Sequence, residues 1–240
     1  MSVTVLETSV LTGAVAVRAW DDVLGRPTET PCTVTALRAA DQVAVAQAVP
    51  HVSGLYGILR LAPGDYDLLV VPLAATFLPT RLRITVPPGA STIKVDAHLR
   101  PSPFYFPPPH SVVLRGTLAF DPIPRRPARW AGIFASLGTG PVVVARSNAH
   151  GDFVVILQAP EPDSDGNITL QDATLEIHAA TPGAALADDD FSDLPRDDGS
   201  LSDLKSRQPL RDTLTESSLG AGSAESLNSP HGPDWIVLLT

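Results

Sequence analysis

The chain has 240 residues, a formal net charge of −9, 24 prolines and a single cysteine. The acidic balance, with no basic stripe, argues against a nucleic-acid-binding protein, and one cysteine excludes both an intrachain disulfide and a cysteine-rich zinc site. Because proline is kept out of helix interiors and central strands, this composition favours short strands joined by fixed turns.

The N-terminal residues, MSVTVLETSVLTGAVAVRAW, lack the positively charged start of a signal peptide and carry Glu7 early. The chain also has no run of about 18 apolar residues that would predict a membrane span. The sequence therefore predicts cytoplasmic synthesis without a signal peptide and no membrane partner.

Two alternating runs follow in the first hundred residues. Cys32 opens one of them, CTVTAL, which makes it a strand thiol without a predicted reactive role. The stretch GLYGILRLAPGDYDLLVVP, from Gly54 to Pro72, has apolar residues at every second position on both sides of Pro63-Gly64. Proline followed by glycine is typical of a β-turn, so this stretch predicts a β-hairpin with one buried face.

The chain repeats itself at an offset of about 100 residues. Ala19-Trp20-Asp21 corresponds to Ala119-Phe120-Asp121, and Arg26-Pro27 corresponds to Arg126-Pro127. Gly54-x-Tyr56-x-Ile58 likewise corresponds to Gly151-x-Phe153-x-Val155. Short strands at this spacing predict an all-β fold of two tandem antiparallel β-sandwiches of the transthyretin or immunoglobulin type, at residues 1–99 and 111–240.

The bridge between the two units, residues 100–110, reads RPSPFYFPPPH. Its proline density predicts an extended, semi-rigid spacer. Phe104, Tyr105 and Phe106 stand between the prolines, and two interpretations are open. They are anchors that fix the angle between the units, or they are a binding strip for a partner.

Residues 188–234 hold eleven acidic and four basic residues, so most of the net charge lies there. The second sandwich is therefore predicted to diverge from the first by a long acidic excursion, after which a closing strand at 235–239 completes it. Short helices are predicted at Leu201–Leu204 and Leu210–Leu214. The leucines of the excursion are expected to dock on a partner subunit, and those assigned to this role are Leu194, Leu201, Leu204, Leu210 and Leu214.

One motif of the first unit resembles a known family. Gly54-x-Tyr56-x-Ile58-x-x-Leu61-x-Pro63-Gly64-x-Tyr66 is similar to the signature of carboxypeptidase-regulatory-like domains, which are transthyretin-like sandwiches. The second unit matches only at Gly151-x-Phe153-x-Val155. The resemblance implies a domain that spaces, supports or binds and carries no catalytic residues.

The arrangement of a regulatory-like sandwich, a proline and aromatic bridge and a divergent second sandwich also resembles accessory proteins of phage-tail-like contractile injection particles. We therefore expect a non-enzymatic structural or adaptor protein that contacts protein subunits of a larger assembly, including copies of itself. The alternatives are a free-standing module that binds a glycan or another cell-surface ligand and, with less support, a hydrolase. No cofactor is expected.

Two groups of polar residues are candidates for chemistry. Asp163, Asp165 and Asn167 place oxygen atoms at alternate positions, as calcium loops do, but the glycine and glutamate positions of an EF-hand are not matched. A polar, solvent-exposed turn is the alternative interpretation of these three residues. Ser147, His150 and Asp152 hold the residue types of a catalytic triad, but their close spacing predicts a hairpin turn before the Phe153 strand.

Overall fold

The protein is built from strands, and no helix occurs in the part of the chain that the structure describes. This computed structural model describes residues 14–89, 92–120, 126–161, 164–165, 170–180, 187, 190–197, 210–219, 224–226 and 236–239. The predicted all-β fold is confirmed.

The first sandwich consists of two facing sheets. Its strands are β1 (Ala14–Asp21), β2 (Arg26–Pro27), β3 (Cys32–Arg38), β4 (Ala44–Gln47), β5 (Val49–Pro50), β6 (Leu55–Ile58), β7 (Gly64–Pro72), β8 (Thr80–Val86) and β9 (Thr92–Leu99). One sheet has the order β2-β1-β6-β5, with β9 also paired to β1, and the other has the order β4-β3-β7-β8. All pairs are antiparallel except β1 with β9.

The predicted hairpin from Gly54 to Pro72 is wrong. Strand β6 pairs with β1 and β5, whereas β7 pairs with β3 and β8 in the opposite sheet. The Pro63-Gly64 stretch is therefore a crossover between the sheets. The predicted buried face is confirmed, since Ile58, Leu68 and Val70 all lie in the core of the first sandwich. Alternation shows which face of a strand is buried but not which strand it pairs with.

The second sandwich repeats this topology. Its strands are β10 (Ser111–Phe120), β11 (Arg126–Pro127), β12 (Gly132–Leu137), β13 (Val143–Arg146), β14 (Asp152–Gln158), β15 (Gln171–His178), β16 (Leu210–Leu219), β17 (Ala224–Ser226) and β18 (Ile236–Leu239). One sheet has the order β11-β10-β14, with β17 and β18 paired in parallel to β10, and the other has the order β13-β12-β15-β16.

The acidic excursion contributes to this sandwich directly. Leu210 and Leu214 lie in β16, which pairs with β15, so the helix predicted at Leu210–Leu214 is wrong. The local sequence TLTESS holds a single apolar residue, so this strand is set by its pairing with β15 and not by a local alternating pattern. Leu201 and Leu204 lie outside the described residues.

The two sandwiches share a packed interface through β14. Phe153, Val155 and Leu157 point into the core of the second sandwich, while Val154 and Ile156 pack against the core of the first. A strand buried on both faces reads as a continuous apolar run rather than an alternating one. The run FVVIL in β14 is therefore the sequence signal for the contact between the units.

Candidate protein-binding surface

The bridge, residues 100–110, is fixed to the first sandwich by its backbone. The Leu78 N–H donates to the Arg100 carbonyl (2.9 Å), and the Ser102 N–H donates to the Thr76 carbonyl (3.0 Å). The Ser102 hydroxyl also donates to the Ala75 carbonyl. The bridge therefore follows the 75–78 segment as an ordered part of the fold.

Tyr105 anchors the middle of the bridge. Its side chain is only 6% exposed and belongs to the core of the first sandwich. The ring packs edge-on against Phe77 at 5.3 Å between centroids, and the hydroxyl donates to Asp21 Oδ2 at 2.8 Å. Burial, reinforced by the Asp21 carboxylate, raises the pKa of Tyr105 well above its usual value. Tyr105 thus anchors the bridge to the first sandwich, while its role in fixing the angle between the units stays a prediction.

Phe104 and Phe106, by contrast, face solvent. Their exposed fractions are 74% and 90%, on either side of the buried tyrosine. A Tyr105 N–H donating to the Ser102 carbonyl (2.9 Å) and a Phe104 N–H donating to the Ser102 hydroxyl (3.1 Å) hold this turn. The anchoring of Tyr105 inward leaves both phenylalanines displayed outward, which is the arrangement that a partner-binding strip requires.

Beside Phe106 lies a shallow depression of about 270 Å³. Leu24, itself 44% exposed, lines it together with Pro27, Thr76 and Phe77. Leu24 is held there because its N–H donates to the same Asp21 carboxylate that accepts from Tyr105 (3.0 Å). We call Leu24, Phe104 and Phe106 the aromatic patch. The sequence does not predict Leu24 at this surface, because its position depends on contacts of the Asp21 turn with the distant Tyr105.

Leu194 does not lie on this surface, and its prediction as a partner contact is corrected. It is buried in a small cluster with Trp130, Ala149, Leu69 and Phe191, which come from both sandwiches and from its own segment. Leu69 belongs to β7 of the first sandwich, while Trp130 precedes β12 of the second. We call residues 190–197 the strap, because they pack across both units of the same chain.

Polar contacts hold the strap at both ends. Asp193 accepts from the Trp130 indole N–H (2.8 Å) and from the Arg129 guanidinium (3.0 Å). The Asp197 N–H donates to the Arg81 carbonyl on β8 (2.6 Å), and its carboxylate accepts from Arg100 (3.0 Å). The strap therefore covers part of the β8 edge.

Asp67 forms the centre of the attachment at the first sandwich. Its buried carboxylate accepts from Arg83 (2.6 Å), from both Nε and Nη2 of Arg196 (3.0 Å each) and from Gln42 (2.8 Å). Burial alone would raise the pKa of Asp67, but the hydrogen bonds from Arg196, Arg83 and Gln42 outweigh it and lower the pKa to about 2. Asp67 on β7 is therefore ionised and joined to the strap at neutral pH.

This lowered pKa predicts acid sensitivity. Because the Asp67 pKa is lower in the folded than in the unfolded chain, its stabilisation is present above about pH 4 and is lost as the pH falls towards 2. We expect a loss of roughly 2 kcal/mol in unfolding free energy as the pH falls from about 5 to 2. Urea titrations across the pH series should show it. Asp67→Asn should have a flatter profile, and an equally steep profile in that variant would contradict the assignment.

The residues considered for hydrolysis do not form a triad. Ser147 is fully buried, and its hydroxyl donates to the Ala128 carbonyl (2.6 Å) and accepts from the Ala131 N–H (2.8 Å). His150 is exposed, and Asp152 accepts from the Thr117 hydroxyl (2.7 Å). The segment is a turn, but it joins β13 and β14 of opposite sheets and is not the predicted hairpin.

The remaining candidates for chemistry have little support in the described residues. Asp165 lies in an exposed turn, whereas Asp163 and Asn167 fall outside the described part of the chain. Among the described residues, no group of three or more His, Cys, Asp or Glu side chains could hold a metal ion. Burial raises the pKa of the Cys32 thiol to about 11, which disfavours the reactive thiolate.

The tryptophans in the described part of the chain offer little free ring surface to a glycan. Trp130 is buried, and Trp235 lies outside the described residues. Trp20 is half-buried, and the Arg18 guanidinium lies over its ring at 4.9 Å from the centroid. A sugar stacking on that ring face would have to displace the arginine.

A larger cleft, of about 640 Å³, opens between the bridge and β13. Pro108, Pro109, Val143 and Val144 line it, together with the Asp22 carboxylate. Asp22 is already paired with His98 (2.6 Å) and Arg100 (3.1 Å). Glu161 and several polar side chains also line the cleft, so it offers both polar and apolar contacts, and of its two carboxylates that of Asp22 is already engaged in the fold.

Comparisons with known proteins give distant likenesses. No protein-family model matches the chain, and no curated protein matches it. Among solved structures, the TIE protein of Bacillus anthracis is similar with a TM-score of 0.32 and 11% identity, over 95% of this chain and 34% of that one. A streptococcal ancillary pilin gives 0.32 and 13%, over 97% and 63%.

The major pilin subunit of Bacillus cereus is similar at a TM-score of 0.32 and 12% identity, over 70% of this chain and 64% of that one. The chain thus spans about a third of the first of these proteins and less than two thirds of the other two. Likeness at this level does not assign a function, which is argued below from the chain's own surface. Within the described residues, no helix is long and apolar enough to cross a membrane.

Proposed function

We propose that this protein is a non-enzymatic adaptor that binds a partner protein through the aromatic patch, as a subunit of a larger assembly. The observation that carries the proposal is the display of Phe104 and Phe106 on a bridge fixed by Tyr105. Burying a phenylalanine side chain contributes about 1.5–3 kcal/mol relative to leaving it exposed. A partner that covers both rings therefore gains substantial stabilisation.

Rigidity strengthens this interpretation. A binding residue that is already ordered loses little conformational entropy on association, so more of its burial appears as affinity. The turn at Ser102 and the Tyr105 anchor supply that order before any partner arrives. Exposed apolar patches with a polar rim are typical of protein interaction sites, and Arg26, Thr28 and Glu29 supply such a rim around the depression.

The resemblance to carboxypeptidase-regulatory-like domains supports a non-enzymatic role. Its motif residues have structural tasks here. The Tyr56 hydroxyl accepts from the Cys32 N–H (2.8 Å), the Tyr66 hydroxyl donates to the Ala62 carbonyl (2.9 Å), and Leu61 is buried in the core. A phage-tail-like contractile particle is the assembly that we propose, on the basis of the tandem sandwiches and the aromatic bridge, with cytoplasmic synthesis as its corollary.

Replacing both exposed phenylalanines tests the proposal. Phe104→Ser combined with Phe106→Ser should leave the fold and thermal stability nearly unchanged, because both rings face solvent. Incorporation of the tagged chain into its native assembly should be lost. The matched control is Val52→Ser, which removes another fully exposed apolar side chain and should incorporate normally. Equal incorporation of the double variant and the wild-type chain would overturn the proposal.

A photo-crosslinking amino acid gives a second readout. Placed at position 106, it should form one discrete adduct with an assembly protein, whereas the same group at position 52 should form none. Glycan binding by the isolated chain that is insensitive to the double substitution would favour the alternative function.

A further inference from the structure

Strand β9 lies at the edge of its sheet in the part of the chain that the structure describes. Over the described residues it pairs only with β1, along all eight positions from Thr92 to Leu99. An unpaired edge presents a row of N–H and C=O groups to which another strand can add. The equivalent edge of the second sandwich is divided between two short strands, β17 and β18. The continuous edge is therefore a feature of the first sandwich.

The two faces of β9 differ in a regular way. Thr92, Lys94, Asp96 and His98 are exposed. The residues between them face the core, but Ile93 and Val95 are only partly buried there, whereas Ala97 and Leu99 are fully covered. The core of the first sandwich is thus open along the β9 edge next to Ile93 and Val95.

The hydrogen bond at the end of β9 shows which of its residues point their N–H and C=O groups towards β1. The Asp22 N–H donates to the Leu99 carbonyl (3.4 Å), so the peptide groups of Leu99 face β1. Successive residues of a strand alternate in this respect, so Val95 and Ala97 also face β1. Lys94, Asp96 and His98 therefore present their N–H and C=O groups at the free edge.

Charge then selects a partner and a register. We infer that the β9 edges of two copies of this chain pair antiparallel about a two-fold axis at Val95. In that register, Lys94 lies opposite the partner's Asp96, and the symmetry repeats the pair. Moving the axis by one residue would place Lys94 opposite itself or Asp96 opposite itself, and like charges directly opposite one another destabilise a sheet.

The other contacts of this register agree with it. The residues with edge-facing peptide groups pair with each other, so the hydrogen bonds of the ladder can form on both sides of the axis. Val95 lies opposite the partner's Val95 and Ile93 opposite the partner's Ala97, which covers the open part of each core. Lys94 has no ion pair within the described part of the chain. The Asp96 carboxylate is held in place by Arg18, whose Nε and Nη2 donate to it at 2.8 Å each.

Symmetric disulfide trapping tests the register. Antiparallel residues in a non-hydrogen-bonded pair have Cα atoms about 4.5 Å apart, within disulfide reach. In the full chain, Val95→Cys should therefore form a covalent dimer rapidly under mild oxidation. Lys94→Cys and Asp96→Cys should each fail to do so alone but should crosslink when mixed. The wild-type chain is the control, because its only cysteine, Cys32, is buried.

Sedimentation velocity tests the association itself. The wild-type chain should shift with concentration from 25.2 kDa towards twice that mass. Lys94→Glu should weaken the dimer by about tenfold or more, since the axis repeats the repulsion, and Lys94→Gln should weaken it less. The Phe104→Ser and Phe106→Ser variant should still dimerise, which separates this inference from the proposed function. A monomer at every concentration, crosslinking of Lys94→Cys or Asp96→Cys alone, or a dimer unaffected by Lys94→Glu would overturn the inference.

Discussion

Replacing Asp67 by alanine is expected to destabilise the protein by about 3 kcal/mol, at the lower end of the range for breaking a buried ion pair. The substitution removes the acceptor of four hydrogen bonds and leaves Arg83 and Arg196 without their shared carboxylate. Arg81 lies in the same region, and so the remaining charges repel one another. The value is at the lower end because both guanidinium groups are about a third exposed and keep part of their hydration.

Two measurements check this prediction. Urea unfolding gives the change in stability, with Asp67→Asn as the control that keeps the shape of the side chain but removes its charge. Trypsin cleavage after Arg196 reports on the strap, and it should accelerate in Asp67→Ala because Arg196 loses its anchor. Unchanged stability together with slow cleavage would show that Leu194, Asp193 and Asp197 hold the strap without Asp67.

Replacing Tyr105 by alanine is expected to have an effect of similar or larger size, about 3–5 kcal/mol, as for other large aromatic residues in cores. The ring packs on Phe77 within the core of the first sandwich, and its hydroxyl donates a hydrogen bond to the Asp21 carboxylate. Tyr105→Phe keeps the packing and removes only the hydroxyl. It should cost about 1–2 kcal/mol, because it removes the donor to the buried Oδ2 atom of Asp21, whose Oδ1 atom keeps its bonds from Val23 and Leu24.

The Tyr105 variants also separate stability from binding. Tyr105→Phe should keep the bridge in place and retain partner binding, while Tyr105→Ala should loosen Phe104 and Phe106 and weaken binding at temperatures where the chain is still folded. Chemical denaturation and incorporation into the assembly are the two readouts. Full incorporation of a folded Tyr105→Ala chain would show that the bridge need not be rigid.

The sequence predicted the strands better than it predicted their partners. Alternation and turn residues identified β7 and β14, because the side-chain period of a strand is local information. The placement of β6 and β7 in opposite sheets depends on pairing with β1 and β3, which are distant in the sequence. The continuous apolar run FVVIL of β14 carries the contact between the units, but the sequence alone predicts only a strand there.

The bridge and the strap also depend on contacts between residues that are distant in the sequence, which local patterns do not predict. The Phe-Tyr-Phe pattern between prolines predicts that the bridge is either an anchor or a binding strip, and the structure buries Tyr105 while it exposes Phe104 and Phe106. Nothing local to the acidic segment indicates that Arg196 reaches Asp67, 129 residues away. The excess of acidic residues led to the expectation of a partner contact for Leu194, whereas its apolar side chain is buried within its own chain.

Hydroxyl-radical footprinting of the chain, free and within its native assembly, tests the central claim most directly. Phe104 and Phe106 should be oxidised readily in the free protein and should fall in the assembly to the low level of Tyr105, which is buried in both states and serves as the internal reference. Leu59, an exposed residue that directly follows β6 and does not belong to the aromatic patch, should remain reactive. Undiminished oxidation of Phe104 and Phe106 in an assembly that contains the chain would contradict the proposal that the aromatic patch binds the partner.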